Sequence, residues 1–162
     1  MAARAQTKGW SMEMTDPPRL SSSQWNMVGV LGIILIVMAV LQVIGFGDFK
    51  KWLEAIGLGA PSIWAVVLIV AEILAALNFF KLRLSGFARM LGWLSAIFVS
   101  GFWFVENLRL VSQNSGATLQ NSGYFGKFLH QTPGWWTVVE ATILIFGVLY
   151  GLEIIQNSKA KK

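Results

Sequence analysis

The chain has 162 residues, of which 55% are hydrophobic and only 13% charged, with a formal net charge of +5. An ordinary soluble domain carries roughly a quarter charged residues, so this composition argues against a soluble enzyme and against a disordered chain. Cysteine is absent and histidine occurs once, as His130. Disulfides, thiol chemistry, cysteine-held metal and a bis-histidine haem within the chain are thereby excluded. In so apolar a sequence the basic excess reads as membrane-edge lysine and arginine rather than a nucleic-acid surface.

The first residues, 1–23, are polar and mixed in charge, and do not read as a cleavable signal peptide. Pro17 and Pro18 block helix there, and Ser21, Ser22 or Ser23 is placed to cap the first span. The segment is expected either to be loose or to lie on a partner, with Trp10, Met12 and Met14 serving the second case.

The membrane domain is expected over 24–156. A spanning helix needs about 20 mostly apolar residues. Four stretches meet that length, at about 25–44, 62–80, 90–110 and 135–155. Between the first two, Asp48 is positioned to cap a short helix carrying Phe49, Trp52, Leu53 and Ile56 on one face. That pattern predicts an amphipathic helix lying in the outer interface. The connection KLRLSGFAR is short and basic, which makes the second and third spans a hairpin; its cations serve topology or anionic headgroups. The outer loop, about 111–134, is the longest connection, with turn signals at Asn114-Ser115-Gly116 and Asn121-Ser122-Gly123. Its aromatic segment YFGKFLHQT suits a lid over the bundle end or a docking surface. A basic tail, 157–162, closes the chain.

Lysine and arginine distribution gives an orientation. Arg4, Lys8, Arg19, Lys81, Arg83, Arg89, Lys159, Lys161 and Lys162 share one side, against Lys50, Lys51, Arg109 and Lys127 on the other. Both termini are therefore expected in the cytoplasm, with the spans in the cytoplasmic membrane. Trp25, Trp52, Trp64, Trp135 and Trp136 fall near span ends, as an aromatic belt requires. The fold expected is all-α: an integral membrane antiparallel four-helix bundle with an outer interfacial helix.

Ionisable groups inside a membrane cost several kcal/mol and usually face protein. Glu72 sits near the middle of the second span, with Ala65, Ala75 and Ala76 on its side, and needs either a proton or a partner there. Glu106 is one turn from Arg109, a spacing for an ion pair within one helix. Glu140 lies in the first half of the fourth span, sharing a stripe with Gly147 and Gly151, which suit close helix packing. Antiparallel spans would bring Glu72, Glu106 and Glu140 towards an outward-opening pocket between spans two, three and four, closed by His130, Trp135 and Trp136. Such a pocket suits a quinone headgroup or a lipid, or a proton relay; alternatively the glutamates only tie helices together. No nucleophile motif, phosphate loop or metal-ligand cluster occurs, so no intrinsic cofactor is expected.

Residues 24–112 resemble the DoxX-like family, including its MauE and DoxD branches. The resemblance rests on Gly45, Gly47 and Lys50 behind the first span, IGLGAP at 56–61, Ala71-Glu72-Ile73, and the basic turn with Arg83 and Arg89. It implies a four-helix membrane protein attached to a redox or respiratory system, in some members linked to quinone reduction. Glu72 matches that family's glutamate in span two. The absence of cysteine departs from any thiol-relay role, and the third connection is longer and more aromatic than the pattern. Three roles are open: an accessory, non-catalytic subunit with larger membrane partners; a quinone-linked oxidoreductase subunit with its own carboxylate site; or a small transporter acting as a homo-oligomer.

Overall fold

The computed structural model describes residues 13–113, 119, 123–125, 128 and 131–160. The elements in chain order are β1 (Met14–Thr15), α1 (Ser22–Ile44), α2 (Phe46–Ala55), α3 (Pro61–Phe79), β2 (Leu84–Ser85), α4 (Gly86–Ser112) and α5 (Trp135–Ala160). Four of them, α1, α3, α4 and α5, are long and apolar enough to cross a membrane, and the chain is a multi-pass membrane protein built as a helical bundle. Helix α1 packs on α3, α3 on α4 and α4 on α5, while α1 and α5 meet more sparsely. The faces turned away from the bundle keep Ile33, Ile63, Leu94 and Phe146 exposed, as a lipid-facing surface does.

Local chemistry explains the helix ends. Ser21 caps α1 in a reciprocal pair: its Oγ accepts from Gln24 N at 3.3 Å and its N donates to Gln24 Oε1 at 3.0 Å. Pro61 occupies the first turn of α3, where its missing N–H costs nothing. Ser85 caps α4 by accepting from Ala88 N at 3.2 Å.

The short helix α2 begins earlier than Asp48 suggests. Gly45 alone separates it from α1, and Asp48 lies inside its first turn, pairing with Lys51 at 4.0 Å. Its apolar stripe is the expected one, but Phe49, Trp52, Leu53 and Ile56 are buried in the protein core. Phe49 stacks on Trp52, and Trp52 lies 5.5 Å from the ring of Trp103 in α4. The aromatic partner is thus protein rather than lipid, which also removes Trp52 from the aromatic belt.

At the other end of the bundle the polar N-terminal segment is fastened to the α3–α4 connection. Met14 and Thr15 pair antiparallel with Ser85 and Leu84. Arg89, almost wholly buried, holds the strap from beneath: its Nη2 donates to Asp16 O at 3.1 Å and to Leu82 O at 3.4 Å, and its Nε to Thr15 Oγ1 at 3.3 Å. Arg83 pairs with Asp16 at 3.2 Å. Two of the three cations of this connection therefore act within the chain. Beneath the strap α3 and α4 approach closely. Asn78 Nδ2 donates to Arg89 O at 3.1 Å, and a Cβ on Gly92 would collide with Asn78 Nδ2 and stand 2.6 Å from Leu74 O.

Arg89→Leu keeps bulk but removes the forked donors. It should free the strap and lower stability by about 2 kcal/mol, the order of a buried hydrogen bond to a charged group. Limited proteolysis should then cut within 13–20 at a rate far above that of the parent. An unchanged cleavage rate would show that the strand pairing holds without Arg89.

Candidate functional site

Glu72 is the centre of the polar structure at membrane depth. Helix α3 places it on the face that carries Ala65, Leu68, Ala75, Ala76 and Phe79, all fully buried, and Glu72 itself is 0% exposed. The alanines let α1 and α4 come near enough for side chains to reach it. Gln42, in the last turn of α1 and also 0% exposed, donates from Nε2 to Glu72 Oε1 at 3.0 Å. Trp103 on α4 donates from Nε1 to the same oxygen at 3.1 Å. The second hydrogen of Gln42 Nε2 goes to the backbone oxygen of Tyr124, at 3.1 Å. One carboxyl group thereby links α1, α3, α4 and the third connection.

Both donors to Glu72 are neutral, and no described lysine or arginine forms an ion pair with it. Three buried acceptors of this region, Glu72 Oε2, Gln42 Oε1 and Asn107 Oδ1, have no hydrogen-bond partner among the described residues. The first two belong to the very groups joined by the Gln42–Glu72 bond. Asn107 lies one turn beyond Trp103 and donates to Trp103 O at 2.9 Å.

The space beside Glu72 is filled with rings. Trp103 is fully buried, with Tyr124 4.7 Å from it, Phe102 edge-on at 5.4 Å and Phe49 at 6.4 Å. Gly123, at φ +85°, delivers Tyr124 into this cluster, and a Cβ there would come within 2.6 Å of the Trp52 ring. The Tyr124 hydroxyl donates to Thr137 O at 3.1 Å. Burial, and secondarily the nearby Glu140 carboxylate, pushes that hydroxyl far above its ordinary pKa, so it stays a donor.

The carboxylates do not converge on one pocket. Glu106 pairs with Arg109, whose Nη2 reaches Glu106 Oε2 at 2.7 Å and Ile56 O at 2.6 Å. That pair joins the end of α4 to the end of α2, where Ile56 caps the short helix. Glu140 accepts from Gln131 Nε2 at 3.1 Å and lines a separate groove of about 260 Å³ between α1 and α5, with Met38, Tyr124 and Ile143 among its walls. Trp135 and Trp136 are 69% and 66% exposed, too open to close a pocket. His130 lies outside the described residues, as do Asn114-Ser115-Gly116, Asn121 and Ser122. Ala65 and Ala76 are buried in the α3 interface, and Gly147 and Gly151 bring α5 against Leu31 of α1, each placing a hypothetical Cβ 3.0 Å from it.

Sequence reading found Glu72 and the Glu106–Arg109 pair but not the donors. Gln42 is the only amide between Met27 and Ile44, and that was the available signal: a buried amide in a membrane helix wants a partner on another helix.

Replacing Gln42 by Leu leaves Glu72 Oε1 one donor short and strips the Tyr124 carbonyl of its donor. The expected loss is about 1–3 kcal/mol. Trp103→Phe should cost a similar amount, since it removes the other donor and part of the ring cluster. Glu72→Gln keeps an acceptor for both Gln42 Nε2 and Trp103 Nε1. It should therefore unfold close to the parent, and Glu72→Leu well below it. Thermal or denaturant unfolding in mild detergent checks the order. No family model, no curated protein and no solved structure matches this chain.

Proposed function

We propose that the chain is a DoxX-like integral membrane subunit, an accessory and non-catalytic component that anchors or stabilises a membrane redox or respiratory complex and shapes a lipid or quinone site. In this reading α1, α3, α4 and α5 run alternately up and down in the cytoplasmic membrane. Helix α2 covers the outer end, and both termini are cytoplasmic. Arg89 and Arg109 are spent on internal contacts, yet the remaining lysines and arginines keep the same bias, which supports this orientation.

The observation that supports the accessory role is the closure around Glu72. A carboxylate that serves a substrate or passes protons must communicate with a path or a cavity. Glu72 is sealed at 0% exposure, and both its donors come from neighbouring helices. Its chemistry is that of a tie. This also weighs against transport through Glu72, because polar residues at successive depths would be needed.

Purification from native membranes in a mild detergent, with mass spectrometry and an optical spectrum, tests the reading. The expected result is larger subunits at fixed stoichiometry, carrying haem, copper or flavin absorbance, with turnover unchanged by Glu72→Gln. A chain that runs alone under the gentlest extraction would overturn it.

A further inference from the structure

The groove between α1 and α5 has a shape set by two different contacts. Towards one end of it Gly147 and Gly151 let α5 close on Leu31. About two turns back along α5 stands Glu140, and between them the helices part. The walls there are Ile34, Met38, Phe125, Ile143 and Leu144. From Glu140 to Gly147 is seven residues of helix, roughly 10 Å at 1.5 Å per residue.

Among the described residues only two polar side chains line the groove, Tyr124 and Glu140. The Tyr124 hydroxyl is committed to Thr137 O. Gln131 Nε2 uses one lone pair of Glu140 Oε1, and no described lysine or arginine pairs with the carboxylate. A carboxylate only accepts, so a molecule seated here must bring a donor, and a cationic one complements it best. A quinone ring offers carbonyl acceptors only. The volume, about 260 Å³, is also below the usual 300–1,000 Å³ of a pocket for a compact drug-sized ligand, and the walls other than Tyr124 and Glu140 are apolar, as the upper part of a hydrocarbon chain requires. Glu140 lies five residues from Trp135, and Trp135 and Trp136 are turned outward, as tryptophans are at a headgroup level.

We infer that this groove holds the headgroup-proximal part of one chain of a membrane lipid with a primary ammonium headgroup, whose N–H groups donate to Glu140. The inference deepens the lipid-site part of the proposed function. It rests on the chain being embedded in a membrane, not on its having partner subunits.

The test uses the full chain, delipidated in detergent and titrated with phosphatidylethanolamine and with phosphatidylcholine of identical chains, read by native mass spectrometry. The choline headgroup keeps the charge and lacks the N–H donors. The ethanolamine lipid should bind about tenfold more tightly, the scale of one charge-assisted hydrogen bond. Glu140→Gln should erase that preference. Ile143→Trp, at a position 66% exposed and so tolerant of bulk, should weaken both lipids by filling the groove. Helical circular dichroism confirms that each variant is folded. Equal binding of the two lipids overturns the inference, as does an ethanolamine preference that survives in Glu140→Gln. A short-chain quinone that displaces the lipid from the parent but not from Ile143→Trp also overturns it, and returns the groove to quinone. None of these outcomes depends on partner subunits, so a failure here is separable from a failure of the accessory reading.

Discussion

A carboxyl group in the middle of an apolar helix has no water to satisfy it, so the protein must supply donors at fixed positions. Glu72 sets that requirement for this bundle. Apolar packing alone distinguishes poorly between arrangements in a membrane, because lipid tails are as apolar as leucine. A hydrogen bond does distinguish. For Gln42 and Trp103 to reach one oxygen of Glu72, α1 and α4 must each take one rotation and one depth against α3. Gln42 then passes the constraint on to the third connection through the Tyr124 carbonyl.

The rest of the structure builds on that fixed point in both directions. Towards the α2 end, Tyr124 and Trp103 fill the bundle with rings, and α2 lays Phe49 and Trp52 over them. The Glu106–Arg109 pair then secures the end of α2 through the Ile56 carbonyl. At the far end most of the acceptors are backbone carbonyls. Arg89 gathers carbonyls from the N-terminal strap and the hairpin turn, and Asn78 binds the backbone of Arg89 itself. The seam between α1 and α5, the helices at the two ends of the bundle sequence, is packed more sparsely than the seams between consecutive spans, and the groove beside Glu140 lies there.

What the sequence made legible was what depends on local composition. Long apolar runs located the four spans to within a few residues, and the alanines around Glu72 marked its buried face. Helical spacing gave the Glu106–Arg109 pair. The donors to Glu72 were not legible, because Gln42 and Trp103 are 30 and 31 residues from it, and no local period connects them. The same limit hid the two-residue strand pair: Met14 and Thr15 have no strand pattern, and their partners Ser85 and Leu84, with Arg89 beneath, lie some seventy residues on. Trp135 and Trp136 illustrate the converse. Their place at a span end was correct, but helix phase, not position, turns them outward and leaves Tyr124 to fill the interior.

The claim that Glu72 is a structural tie between helices is tested most directly by a double-mutant cycle. Gln42→Leu, Glu72→Leu and the pair would be compared by unfolding in detergent, with Asp48→Asn and Glu72→Leu as a control cycle. If the tie is real, the two buried changes should couple by about 0.5–3 kcal/mol, the range for residues sharing one hydrogen-bond network, while the control adds. Additive losses for Gln42 and Glu72 would contradict the account, since they would mean that the buried carboxyl group contributes nothing through its neighbour.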